Sequence, residues 1–143
     1  MTYVKVEDGS VSEFPYSIYQ LKDDNPQVSF PEIVTDEILA SYNVYPVQPV
    51  PIPVFDTLVK KLIRGNPTLS GTQWVETFTI SNIDEHMAKR NVREERDRLL
   101  SETDWWASSD LTMTQAQTDY RQALRDVPSQ SGFPYSVTWP TQP

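Results

Sequence analysis

Four prolines between Val44 and Phe55, in the run VYPVQPVPIPVF, place the strongest limit on how this chain can fold. They stand at positions 46, 49, 51 and 53. Each proline removes a backbone donor and fixes φ, which excludes both a helix and a central strand of a sheet. The run should be extended, either as a polyproline-like segment or as an edge strand. We therefore predict that residues 44–55 form a stiff, extended connector lying along its own fold. The alternative is a ligand-like segment for an aromatic groove.

The residues around this connector predict a small antiparallel β region with short helices. Residues 2–6 alternate in polarity and end at Asp8-Gly9, a strong hairpin signal, before residues 11–14. Short helices are predicted over residues 16–22 and from the N-cap Thr35.

After the connector, β-forming residues alternate in two segments that bracket glycine-containing turns. The segments are residues 55–63 and 73–80. This pattern predicts a meander of two or three strands.

Two helices are predicted in the second half of the chain. Asn82 and Glu85 have the spacing of a capping box at the start of the first, and Thr114 and Gln117 have it at the start of the second. The first helix carries opposite charges four residues apart: Arg90/Glu94, Arg93/Asp97 and Glu94/Arg98. The polar side chains expected to face outward on the second are Asp119, Arg121, Arg125 and Asp126. The short polar loop between the helices predicts an antiparallel helical hairpin.

Seven large apolar side chains in this half are candidate partner-binding residues: Trp105, Trp106, Tyr120, Leu124, Phe133, Tyr135 and Trp139. The two adjacent tryptophans would fill the closed end of the hairpin. Core packing is the preferred interpretation for them, and contact with a partner is the alternative. The last three alternate along a predicted extended tail. Such a tail would expose too much apolar surface if free, so we expect it to dock on its own helices or on another chain.

These elements predict an α+β fold in two domains. Residues 1–81 form a β-rich domain that contains the proline-rich connector. Residues 82–143 form the antiparallel helical hairpin with its extended aromatic-proline tail.

Composition argues against several classes of protein. The chain has 143 residues, no cysteine, one histidine, four glycines and a net charge of −8. Cysteine-ligated metal, disulfides and cysteine nucleophiles are excluded, and the basic surface typical of nucleic-acid binding is missing. No catalytic motif, cofactor loop, signal segment or membrane span is found. We therefore predict a soluble, cytoplasmic, non-enzymatic interaction protein without metal or cofactor, with no nucleic-acid or membrane partner.

The C-terminal half of the chain resembles the C-terminal module of bacteriophage tail assembly chaperone and tail-fibre-associated proteins. The resemblance lies in three motifs: R-x-x-L-L-x-x-T-D-W, from Arg96 to Trp105; T-x-x-Q-x-x-Y-R-Q-A-L-R-D, from Thr114 to Asp126; and G-F-P with a W-P finish, from Gly132 to Pro140. It covers about a third of the chain. More loosely, YSIYQLKDDNPQVSFP and VYPVQPVPIP are similar to the N-terminal part of the same proteins.

This resemblance implies a phage tail protein that binds other tail proteins at the fibre or baseplate. It brings no catalytic residues. Two functions stay open: a resident component of the virion tail, which we rank first, and a transient assembly chaperone that acts in the host cytoplasm and is absent from the mature virion. A parallel coiled coil, and with it a homotrimer, is a further open alternative.

Overall fold

The computed structural model describes residues 1–143 and confirms the α+β class. The chain divides into two compact units. Unit 1 comprises residues 1–53 and 63–79, and unit 2 comprises residues 54–62 and 80–143. None of the helices combines the length and apolar character needed to cross a membrane.

Seven strands and four α-helices follow one another along the chain. The strands are β1 Thr2–Glu7, β2 Ser10–Tyr16, β3 Val44–Gln48, β4 Lys60–Arg64, β5 Thr68–Ser70, β6 Gln73–Val75 and β7 Phe78–Asn82. The helices are α1 Ile18–Asp24, α2 Asp36–Ser41, α3 Glu85–Glu102 and α4 Gln115–Asp126. Short 3₁₀ helices span Asp104–Ala107 and Val127–Ser129.

The N-terminal hairpin forms as the sequence predicts. Strands β1 and β2 pair antiparallel, and Glu7 lies opposite Ser10. Asp8 and Gly9 between them have φ values of 51° and 77°. A two-residue turn with positive φ at both central positions matches the natural twist of the paired strands. Local sequence chemistry is therefore sufficient to fix this hairpin.

The prediction that residues 44–55 form only a connector is wrong for its first part. Residues 44–48 form β3, which lies between β1 and β6 in a sheet of order β2-β1-β3-β6-β5. Gln48 O accepts a hydrogen bond from Glu76 N, so the backbone polar groups of Gln48 face β6. The backbone groups of every second residue in a strand face the same neighbour, so the nitrogen of Pro46 also faces the β6 side. The pairing with β6 begins only at Val47. Pro46 therefore sits in a central strand without removing a hydrogen bond from the β3–β6 pairing.

The predicted meander after the connector is also wrong. Strands β5 and β6 form a hairpin that belongs to the five-stranded sheet, whereas β4 and β7 form a separate two-stranded sheet. Gly71 has a φ of 62°, which permits the tight turn between β5 and β6. Strand β6 then runs parallel to β3, a long-range pairing that local alternation cannot predict.

The core of unit 1 forms where α1 and α2 meet the sheet. Tyr16, Leu21, Leu39 and Val44 are buried together, with Leu39 fully inaccessible. A second cluster on the sheet consists of Val4, Val6 and Val47, against which Phe14, Tyr45 and Trp74 pack.

A polar contact joins the hairpin of unit 1 to the end of α1. The Tyr16 hydroxyl donates to Asp24 Oδ2 over 2.5 Å, and the Lys5 ammonium donates to the same oxygen over 3.0 Å. These two hydrogen bonds hold the pKa of Asp24 below its ordinary value of 3.8, and the bond from Tyr16 has the larger effect. Burial, together with the Asp24 carboxylate, raises the pKa of Tyr16 above its ordinary value of 10.0.

Because of this contact, the protein is expected to lose stability in acid through Asp24. The folded-state pKa is the lower one, so the stabilisation is complete only well above the unfolded pKa of 3.8 and is lost as pH falls through the folded pKa. Asp24→Asn should therefore flatten the pH dependence of the urea midpoint between about pH 5 and pH 2. Asp23→Asn, at the exposed neighbour, is the matched control and should keep the wild-type dependence. Equal slopes for the two variants would contradict the assignment.

Unit 2 is built on the two longer helices. The predicted start of α3 is wrong by two residues, because Asp84 rather than Asn82 is the N-cap: its Oδ1 accepts from His86 N and Met87 N at 3.0 and 3.2 Å. The capping box of α4 is confirmed. Thr114 N donates to Gln117 Oε1 over 2.9 Å, and Gln117 N donates to Thr114 Oγ1 over 3.2 Å.

Of the three predicted charge pairs on α3, one forms. Arg90 and Glu94 approach to 3.7 Å. Arg93 instead lies over the Phe133 ring, 5.4 Å from its centroid. Arg98 pairs with Glu95 and Glu102 rather than with Glu94.

Candidate docking site

One buried arginine stabilises the corner at which α3 ends and the chain turns toward α4. Arg121 is only 7% exposed, so the prediction that it faces outward is wrong. Its Nη1 donates to Leu100 O over 2.9 Å and to Thr103 Oγ1 over 2.7 Å, while Nη2 donates to Asp104 Oδ1 over 2.8 Å. The planar guanidinium presents its donors on two nitrogens in a fixed fork, so it can reach a helix-end carbonyl and a carboxylate at separate positions, whereas a lysine offers a single nitrogen. Arg121 therefore links the end of α3, and the turn that follows it, to α4.

The adjacent tryptophans at this corner have opposite environments. Trp106 is 5% exposed and packs against Tyr120, with ring centroids 6.0 Å apart. Trp105 meets Trp106 edge-on at 6.1 Å but remains 62% exposed. Leu124 is fully buried in the same cluster. A 3₁₀ turn over residues 104–107 separates the two indoles in this way, so that one anchors the corner and the other reaches solvent.

The predicted extended tail is instead a compact turn followed by an irregular segment. Ser136 N donates to Gly132 O over 2.7 Å, and a Cβ atom at Gly132 would overlap the Ser136 carbonyl oxygen. Only glycine therefore fits this turn. Phe133, Tyr135 and Trp139 are partly buried against the core of unit 2.

Two side chains fix this tail to its own unit. Gln130 Nε2 donates to Thr138 O over 2.9 Å, and Gln130 Oε1 accepts from Thr138 N over 2.8 Å. The Tyr135 hydroxyl donates to Ile83 O over 2.8 Å. The tail thus docks on its own helices, the first of the two alternatives that the sequence left open.

Six of the seven candidate partner-binding residues therefore contribute to the core of unit 2. The buried or partly buried ones are Trp106, Tyr120, Leu124, Phe133, Tyr135 and Trp139. Trp139 belongs to both of the clusters that they form. Trp105 alone presents most of its surface to solvent, and Leu111, in the same connection between α3 and α4, is 50% exposed.

Sequence reasoning missed the residues that hold these candidates in place. Thr103 and Arg121 were visible as parts of two separate motifs, and the opposite charges of Asp104 and Arg121 were the signal that could have paired them. Gly132 stands directly before Phe-Pro, where a close backbone approach demands a residue without a side chain.

The charged face of α3 offers ion pairs rather than a reactive group. A shallow depression of about 320 Å³ is lined by Leu58, Asn91, Glu94, Glu95 and Arg98. The hydrogen bond from Arg98 lowers the pKa of Glu95. An ionised, paired carboxylate at neutral pH suits a solvated surface better than proton transfer. No three metal-ligating side chains come together in residues 1–143.

Comparison with protein families finds one family whose sequence model matches the C-terminal segment. The model of a family described as phage tail assembly chaperone protein matches residues 89–143. The match includes the end of α3, the corner with Arg121, all of α4 and the tail. It confirms the resemblance seen in the sequence and supports a non-enzymatic role related to the phage tail. No curated protein and no solved structure matches the chain.

Proposed function

We propose that this protein is an assembly chaperone for a bacteriophage tail, acting in the host cytoplasm by binding another tail protein. The observation that carries the proposal is the family match over residues 89–143, which coincides with the corner and tail of unit 2. Of the two functions that the sequence left open, a resident component of the virion was ranked first. The family's own description favours the alternative.

The geometry of unit 2 suits binding without catalysis. In this proposal, α3 and α4 act as a helical hairpin whose connection carries the docking surface. Arg121 and the buried Trp106 fix the turn that follows α3, so that Trp105 is held in place before a partner arrives. Preorganised aromatic anchors lose little conformational freedom on binding, and tryptophan is the residue most enriched at binding hot spots.

A resident tail component at the fibre or baseplate remains the second candidate. The observation in its favour is the way Gln130 and Tyr135 tie the tail down. A segment already ordered in its own unit suits a permanent subunit, because it needs no partner to cover its aromatic side chains.

The two candidates differ in where the protein is found at the end of infection. We would compare gradient-purified phage particles with the infected-cell lysate by quantitative mass spectrometry. A chaperone is expected in the lysate and absent from the particles. A fixed copy number per particle, at a multiple of three or six, would overturn the chaperone proposal in favour of the resident component.

Trp105→Ala is expected to weaken binding to the partner tail protein without unfolding unit 2. An exposed tryptophan at an interface centre contributes on the order of 2 kcal/mol or more, which corresponds to at least about a 30-fold rise in Kd. The measurement is a titration of each purified tail protein of the same phage by isothermal calorimetry, with urea denaturation to verify the fold.

Tyr19→Ala provides the matched control, since Tyr19 is an aromatic residue in unit 1 with 79% exposure. It should bind as the wild type does. If both variants bind equally well, the docking surface lies elsewhere.

A further inference from the structure

Residues 49–54, Pro-Val-Pro-Ile-Pro-Val, form an unusually restricted segment after β3. They adopt neither helix nor strand. Pro49, Pro51 and Pro53 fix their own φ, and the residue before each proline is confined to extended conformations. Six consecutive residues, 48–53, are therefore limited by their own covalent structure to one extended, polyproline-like path. Such a segment gives up little entropy when it binds.

Most side chains of this segment are exposed to solvent, and only Val50 is half-buried. Ile52 is 61% exposed and Val54 is 102% exposed, and all four residues from 51 to 54 are exposed. A connector was the preferred interpretation because such side chains were expected to lie on their own fold. The exposure of residues 51–54 contradicts that expectation. A single exposed apolar residue needs no explanation, but a rigid, uncharged stretch of them does.

The chemistry of the segment defines the partner that fits it. Between Val44 and Phe55 there is no charged side chain. Proline rings present flat apolar faces that pack on aromatic rings, and the branched isoleucine side chain adds apolar surface beside them. Extended carbonyl groups without neighbouring donors can accept from the N–H of tryptophan or the O–H of tyrosine.

We propose that residues 49–54 are a ligand for an aromatic-lined groove on another protein of the phage tail. This inference rests on the proposed function, since it takes the partner from the same set of proteins. It adds a second contact, made by residues 49–53 of unit 1 and Val54 of unit 2, to the docking surface between α3 and α4. Because the segment is uncharged, the affinity that it contributes is independent of salt concentration.

The first experiment places p-benzoylphenylalanine at position 52 of the full chain and irradiates it with each purified tail protein of the phage. Position 33 serves as the control, because Ile33 is an apolar residue of unit 1 with 78% exposure. The expected result is one discrete adduct from position 52, with the cross-linked peptide containing tryptophan, tyrosine or phenylalanine, and no such adduct from position 33. Adducts to a second copy of this chain, or to a surface without aromatic residues, would overturn the proposal.

The second experiment measures the affinity of Ile52→Ser for the same tail proteins, beside Ile33→Ser. Burying an isoleucine side chain contributes enough to predict a rise in Kd of about 10-fold to 100-fold for Ile52→Ser, and less than about 2-fold for Ile33→Ser. Equal affinities would defeat this inference and leave the proposed function standing. If the wild-type chain binds no tail protein at all, the proposed function fails and this inference fails with it.

Discussion

Gly132→Ala is expected to destabilise unit 2 by on the order of 3 kcal/mol. The added methyl group meets the backbone of Ser136, not the end of a flexible side chain, so the turn itself must open. Opening it moves Phe133 and Tyr135, which lie within the turn and pack on the core of unit 2. The measurement is urea denaturation followed by tryptophan fluorescence, to which three of the four tryptophans contribute from unit 2.

The control for this substitution is the exposed neighbour Ser131. Ser131→Ala changes the same stretch of chain without entering the turn, and it should alter stability by less than about 0.5 kcal/mol. A Gly132→Ala protein as stable as Ser131→Ala would show that the turn relaxes freely and that the tail is not fixed by this contact.

Arg121→Ala is the second substitution with a large expected effect, about 2 to 4 kcal/mol of lost stability. It removes three hydrogen bonds at once and leaves the buried Thr103 hydroxyl without its charged donor. Asp104 is 65% exposed, so water replaces its partner and the loss is smaller than for a fully buried ion pair.

Arg125→Ala separates this effect from a simple loss of charge on α4. Arg125 lies on the same helix, one turn further along, and is exposed. Its removal should change stability by less than about 0.5 kcal/mol. Similar losses for the two variants would mean that the charge of α4, rather than the buried contact of Arg121, stabilises the corner.

The features predicted correctly are those that a few neighbouring residues decide. Asp8-Gly9 determines its hairpin through backbone conformation alone, and Thr114 with Gln117 caps α4 through two contacts within one turn. The motifs that resemble phage tail chaperones were also visible, because their spacing is local.

The features predicted wrongly depend on partners far away in the sequence. Pro46 is tolerated in a central strand only because β6 pairs beyond it, and nothing near residue 46 reveals that. Arg121 looks like a surface residue until the carbonyl of Leu100, 21 positions away, is placed beside it. For the candidate site, the sequence did not reveal which of the seven large apolar side chains belong to the core. Burial of the tail residues Phe133 and Tyr135 depends on the turn at Gly132, which brings them onto unit 2.

The two-segment make-up of unit 2 has a consequence for how the chain is synthesised. Val59 belongs to the core that contains Ala88, Val92 and Val127, and Ile83 N donates to Val59 O over 3.0 Å. During translation at about 5 to 20 residues per second, residue 59 precedes residue 127 by roughly 3 to 14 s. The core of unit 2 therefore cannot form until Val127 has been synthesised, and Val59 stays without these neighbours until then.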